Sequence, residues 1–176
     1  MNLSSPYIKI GNGTSNFYAN LTKSYLKNYE SVNVIAGGYK ISNALEVYLM
    51  LSEEFIVGNL QTFCVKYRRM HSMCVFTVTV GTPIKTLEYN IEYDNDVSLL
   101  VGEESVSYMT QEVVSKQFHS LFAIGDSCVK LFFIASQLLQ YNIFVHNIKV
   151  YRHKNSYCLK MQVYKHIEMI NNDVRF

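Results

Sequence analysis

The chain has 176 residues, 49% of them hydrophobic and 17% charged, with a net charge of +2. These values fit one ordinary globular domain or two very small ones and exclude a disordered chain. No run of about 20 apolar residues is present, which argues against a transmembrane helix and hence against a membrane partner.

The opening MNLSSPYIKIG lacks the basic and apolar regions of a signal peptide. Cys64, Cys74, Cys128 and Cys158 form no C-x-x-C pair and sit in apolar or alternating runs. They read as free core thiols of a reducing compartment, so the expected localisation is cytoplasmic and/or nuclear. Charge is uneven. Residues 1–85 hold eight Lys/Arg and four Asp/Glu (net +4), whereas residues 86–176 hold eight and ten (net −2). A basic front half points to an anionic partner.

In chain order, Tyr7–Ile10 is a short strand. Asn16–Asn28 is a helix, with Phe17, Leu21 and Tyr25 at i, i+4 spacing. The alternating SVNVIA of 31–36 is a strand that Gly37-Gly38 breaks, and residues 41–55 form a second helix. Two alternating runs, 62–69 and 73–80, read as a hairpin with a short polar tip. The order is β-α-β-α-β-β. Pro83 and Asp94-Asn95-Asp96 mark turns around TLEYNIEY, a linker or an extra strand. The same order then recurs. Strand Val97–Val101 precedes a helix at 105–118, and strand Ser120–Ile124 precedes helix Cys128–Tyr141. Strands at 144–153 and 157–165 close the series.

Three anchors support a repeat. Gly11 matches Gly102 at an offset of 91, Ala36-x-Gly38 matches Ala123-x-Gly125 at 87, and YRRMHSMC of 67–74 matches YRHKNSYC of 151–158 at 84. The shrinking offset is what shorter connections in the second copy produce. Both second helices are apolar nearly all the way round, and such a helix has to be covered on two sides. Each copy is also small for an isolated core. The expected architecture is therefore α+β: two tandem units, 1–82 and 97–176, joined by residues 83–96 and packed on one another as an intramolecular pseudo-dimer.

The stretch AGGYKISNA resembles the Alba family of small nucleic-acid-binding proteins. That family has the order β-α-β-α-β-β and a turn of form A-x-G-x-x-I-S-x-A. Ala36, Gly38, Ile41, Ser42 and Ala44 fill its fixed positions. Ile10-Gly11 and Asn16-Phe17-Tyr18 are similar to the family's first strand end and first helix. The second copy, through Ala123-x-Gly125 and Gln137-Leu-Leu-Gln140, resembles the Alba-type subunits of ribonuclease P and ribonuclease MRP. The resemblance implies, for each unit, a mixed sheet backed by two helices. It also implies binding of RNA or DNA through the first loop, the turn and the final hairpin. The sequence departs from the family in three places. Asn12-Gly13-Thr14 stands where the family loop carries lysines, Gly37 and Tyr39 stand where arginines occur, and Asp126 is an acid in the second turn.

Residue chemistry points the same way. Lys66, Arg68 and Arg69 surround the first hairpin tip, and Lys149, Arg152 and Lys154 the second. Cations beside tyrosines suit a phosphate chain with unstacked bases. With Lys9, Tyr39 and Lys40, these are the candidate contact residues. The Gly11-Asn12-Gly13 loop either offers backbone N–H groups to a phosphate or is a plain tight turn. No catalytic motif or paired metal spacing occurs, and no cofactor is expected. The sequence thus predicts a non-enzymatic nucleic-acid-binding protein, RNA favoured over DNA, within a ribonucleoprotein whose other protein subunits are further partners. The alternative is a protein–protein assembly module that has lost nucleic-acid binding.

Overall fold

The computed structural model describes residues 5–66, 68–83, 98–153 and 155–165. The first half comprises β1 (Tyr7–Lys9), α1 (Ser15–Tyr25), β2 (Ser31–Gly37), α2 (Ile41–Leu51), β3 (Ile56–Val57), β4 (Gln61–Lys66) and β5 (Met70–Thr79). The second comprises β6 (Ser98–Val101), α3 (Val106–Ser115), β7 (Ser120–Ile124), α4 (Cys128–Leu138), β8 (Ile143–His153) and β9 (Ser156–Lys165). In each half the first strand runs parallel to the second, and the second runs antiparallel to the last. The last strand is also antiparallel to its hairpin partner. The result is two mixed sheets, each with two helices, in the predicted order except for β3, an unpredicted two-residue strand of the first half that pairs with β5.

Local devices recur with the strands. Thr14 Oγ1 accepts from the Phe17 N–H at 3.1 Å and caps α1, and Ser105 Oγ accepts from the Tyr108 N–H at 3.1 Å and caps α3. The two caps are 91 residues apart, the offset of Gly11 and Gly102. Each second strand ends in one 3-10 turn before its helix, and that turn opens with a left-handed glycine: Gly38 at φ +60° and Gly125 at φ +61°. A Cβ strains this backbone, which accounts for both glycines.

Strand pairing corrects the third sequence anchor. Ala36 pairs with Cys74, whereas its counterpart Ala123 pairs with Leu159. The last strands are thus equivalent at an offset of 85, not 84, and Cys158 corresponds to Met73. Several boundaries also differ from expectation. Helices α1, α2, α3 and α4 end earlier, at Tyr25, Leu51, Ser115 and Leu138, and β5 starts earlier, at Met70, which pairs with Lys66. The polar Ser72 lies inside the strand because its hydroxyl turns inward and bonds Ser136 Oγ of α4 at 2.6 Å. Residues 84–97, which take in the predicted linker 83–96 except Pro83 and with it the expected extra strand, lie outside the described residues.

Alternation in β2 and β5 buries Val32, Val34 and Ala36 with Cys74, Phe76 and Val78 beneath the helices. Helix α4 buries Leu131, Phe132, Ile134, Ala135 and Leu138, because β7 covers one side of it while β4 and β5 of the first half cover the other. One core cluster runs through both halves. The contacts between halves are reciprocal. Gln140 at the end of α4 donates to Met70 Sδ at 3.2 Å, and Glu53 beyond α2 pairs with Arg152 of the second hairpin at 2.6 Å. Glu53 and Gln140 are 87 apart, so they are equivalent positions. Between the sheets, Leu60 and Ile148 form an isolated antiparallel bridge, and both are buried. Residues 61 and 149 pair equivalent partners in β5 and β9. Leu60 and Ile148 are therefore counterparts as well, and a residue that meets its own counterpart marks an approximate two-fold axis.

Candidate nucleic-acid interface

The second strand delivers Tyr39 and Lys40 to the surface. Gly37 pairs with Met73, and the left-handed Gly38 then turns the chain so that Tyr39 is 82% exposed and Lys40 exposed. Hairpin pairing places Lys66 opposite Met70, next to the tip residues Arg68 and Arg69, all three cations being exposed. None of these cations, nor Lys40, is in an ion pair among the described residues.

The turn and the tip meet at a cleft of about 610 Å³ between the halves. Tyr39, Met70 and Ser72 line it from the first half. Phe133, Gln137 and Gln140 of α4, with Val106, line it from the second. The Tyr39 and Phe133 rings meet edge to face, 5.2 Å between centroids at 72°. The hydrogen-bonded hydroxyls of Ser72 and Ser136 close the cleft on its inner side. It therefore offers apolar faces and two side-chain amides, with no charged group in its lining.

The other candidates lie elsewhere. Lys9 pairs with Ile35, on the sheet face opposite the helices, while Lys66 shares the helix-side face of β5 with Ser72 and Cys74. Lys149 pairs with Lys160 and is exposed on the second sheet. Arg152 pairs with Glu53, and its Nη2 also donates to the Leu49 carbonyl at 3.2 Å, so this cation joins the halves. Lys154 and Tyr67 lie outside the described residues. Of the nine candidates, Tyr39 lines the cleft, Lys40 follows it in the chain, Lys66 pairs with the lining residue Met70, and Arg68 and Arg69 directly precede Met70.

The first loop is not an anion cradle. Tyr18 Oη accepts from the Gly11 N–H at 2.8 Å and the Gly13 N–H at 3.2 Å, so the two donors expected to face a phosphate are already bonded. Replacing Tyr18 with phenylalanine is expected to lower unfolding free energy by about 1–3 kcal/mol, the cost of stranding such donors. Urea denaturation measures this, and an unchanged midpoint would refute the role given to the hydroxyl.

The second half repeats the frame without the chemistry. Asp126 and Ser127 occupy the places of Tyr39 and Lys40, 87 residues on. Lys130 occupies that of Asn43. Asn43 donates to the Gly13 carbonyl at 3.2 Å, and Lys130 donates to the carbonyls of Gly102 at 2.8 Å and Glu104 at 3.2 Å. Lys130 is thereby committed to its own loop. Tyr157, at the place of Ser72, lies beside Ser42 of α2. Burial, which outweighs the opposing effect of Ser42, pushes its hydroxyl up to about 12.

Gln137, Gln140, Phe133, Ser72 and Ser136 escaped the sequence reading because α4 reads as uniformly apolar core. The signal available was the polar pair Ser136-Gln137 within that helix.

The architecture defines the class: an α+β chain of two like units, each a mixed sheet with two helices, sharing one core. No family model matches the sequence, and no curated protein does. Among solved structures, the crystal structure of ALBA1 from Trypanosoma brucei is similar, with a TM-score of 0.40 and 23% identity over 45% of this chain and 72% of that one. No described helix is long and apolar enough to cross a membrane.

Proposed function

We propose that this protein is a non-enzymatic nucleic-acid-binding protein, RNA favoured over DNA, that works as a ribonucleoprotein subunit. Its contact surface is the first hairpin tip together with the Tyr39-Lys40 turn. One observation carries the reading: exposed cations, free of ion pairs among the described residues, adjoin in chain or strand pairing the residues that line a single cleft, a largely exposed tyrosine among them. Phosphates need the cations, and unstacked bases need the ring. The second half, with Asp126 in its turn and Arg152 committed to Glu53, acts chiefly as the structural partner that forms the far wall.

The test is binding of a structured RNA across a salt series. Arg68→Glu combined with Arg69→Glu is expected to weaken binding at low salt. It should also reduce the slope of log K against log salt by about 0.7–0.9 for each phosphate that the variant no longer neutralises. An unchanged slope would remove the hairpin from the interface. Failure of the unaltered protein to bind RNA at low salt would favour the assembly-module reading.

A further inference from the structure

The geometry points to a more particular role for the cleft: it receives one unstacked base of a single-stranded RNA whose phosphates run along Lys40, Lys66 and the hairpin tip. This rests on the nucleic-acid reading above and adds the form of the ligand.

Three features of the cleft carry the inference. Its volume, about 610 Å³, falls in the range of small-ligand sites, about 300–1,000 Å³. Its lining is uncharged, combining the faces of Tyr39 and Phe133 with the amides of Gln137 and Gln140. A base has these two needs at once, an apolar ring face and hydrogen-bonding edges, and carries no charge itself. The cations stand outside the lining, at the rim on the first-half side, where a phosphate would sit. Glu103 and Glu104, exposed just ahead of Val106 on the other wall, disfavour a phosphate path there. The strand is thus directed along the first half with its bases turned toward α4.

The second half supplies the internal comparison. At the place of Ser72 it has Tyr157, whose side chain reaches across to Ser42 of α2. A tyrosine here bridges from the last strand to the opposing helix. A serine leaves that space open, so the small side chain at this position makes room for the cleft.

The experiment compares a short oligouridylate with a strand of equal length made entirely of abasic ribose phosphate, by fluorescence anisotropy at low salt. The intact strand is expected to bind about 5- to 100-fold tighter than the abasic one. Tyr39→Ala, at an exposed position, and Ser72→Tyr, which copies the second half, should each abolish this difference. Circular dichroism reports whether Ser72→Tyr remains folded, and Gln137→Ala with Gln140→Ala tests the cleft without touching its floor. Arg68→Glu should weaken both strands by the same factor. If both strands bind the unaltered protein equally while Arg68→Glu still weakens them, the base site is refuted and the nucleic-acid reading stands. If the preference persists in both Tyr39→Ala and Ser72→Tyr, the base lies elsewhere. If neither strand binds, both readings fall.

Discussion

Replacing Phe132 with alanine is expected to lower unfolding free energy by about 3–5 kcal/mol and to weaken both halves together. The ring is fully buried in α4, and removing a buried aromatic costs its transfer energy and leaves a cavity. The larger claim concerns cooperativity. Helix α4 is covered by β7 of its own half and by β4 and β5 of the other, and the core cluster passes through both. Hydrogen exchange should therefore show amides of β2 and β5 losing protection in step with those of β7 and β9, as in a two-state transition. A first half that keeps its protection while the second opens would show that the units are stable separately.

Alkaline pH should destabilise the fold. Burial pushes the Cys74 thiol up to about 12, and burial, helped by neighbouring Cys158, does the same for Cys128. The unfolded values are near 9. Below about 9 both states keep the protons and the contribution is complete. Above it the unfolded chain releases them while the folded chain holds them until about 12, so stability falls as pH rises through that window. Each thiol contributes a slope of up to about 1.4 kcal/mol per pH unit. Tyr157 adds a loss of the same sign above pH 10. Urea denaturation near neutral pH and in the alkaline window should show the decline, and Cys74→Ala should flatten it. Equal midpoints in both conditions would contradict the burial of these thiols.

Much of the frame could be read in the sequence because its signals are local. Alternation marked β2 and the first hairpin, and the repeat carried the reading to the strands of the second half. The left-handed glycines marked both turns, and the all-round apolar character of α2 and α4 marked helices needing two covers. The register of the repeat was one residue off in the last strands, since letters alone matched Cys74 to Cys158 while backbone pairing matches Cys74 to Leu159. The site was read less completely, for a physical reason. Lys66, Arg68 and Arg69 are exposed and basic on their own account, but a cleft is a relation between distant segments. Gln137 and Gln140 acquire a role only once α4 faces Tyr39. Arg152 illustrates the converse. Its charge resembles that of Arg68 in every local respect, and Glu53, 99 positions earlier, commits it to the contact between halves.

The Leu60–Ile148 bridge has a consequence for how the molecule behaves in company. β4 and β8 are the outer strands of their hairpins, and each would otherwise present a row of unpaired N–H and C=O groups, a template for pairing with another chain. The bridge lies just ahead of β4 and in the middle of β8, so part of each outer edge faces the other half. Among the described residues the opposite edges of the two sheets are β1, three residues long, and β6, four. Edges so short are poor templates. The chain thereby spends on itself part of the edge through which sheet proteins most readily add to one another.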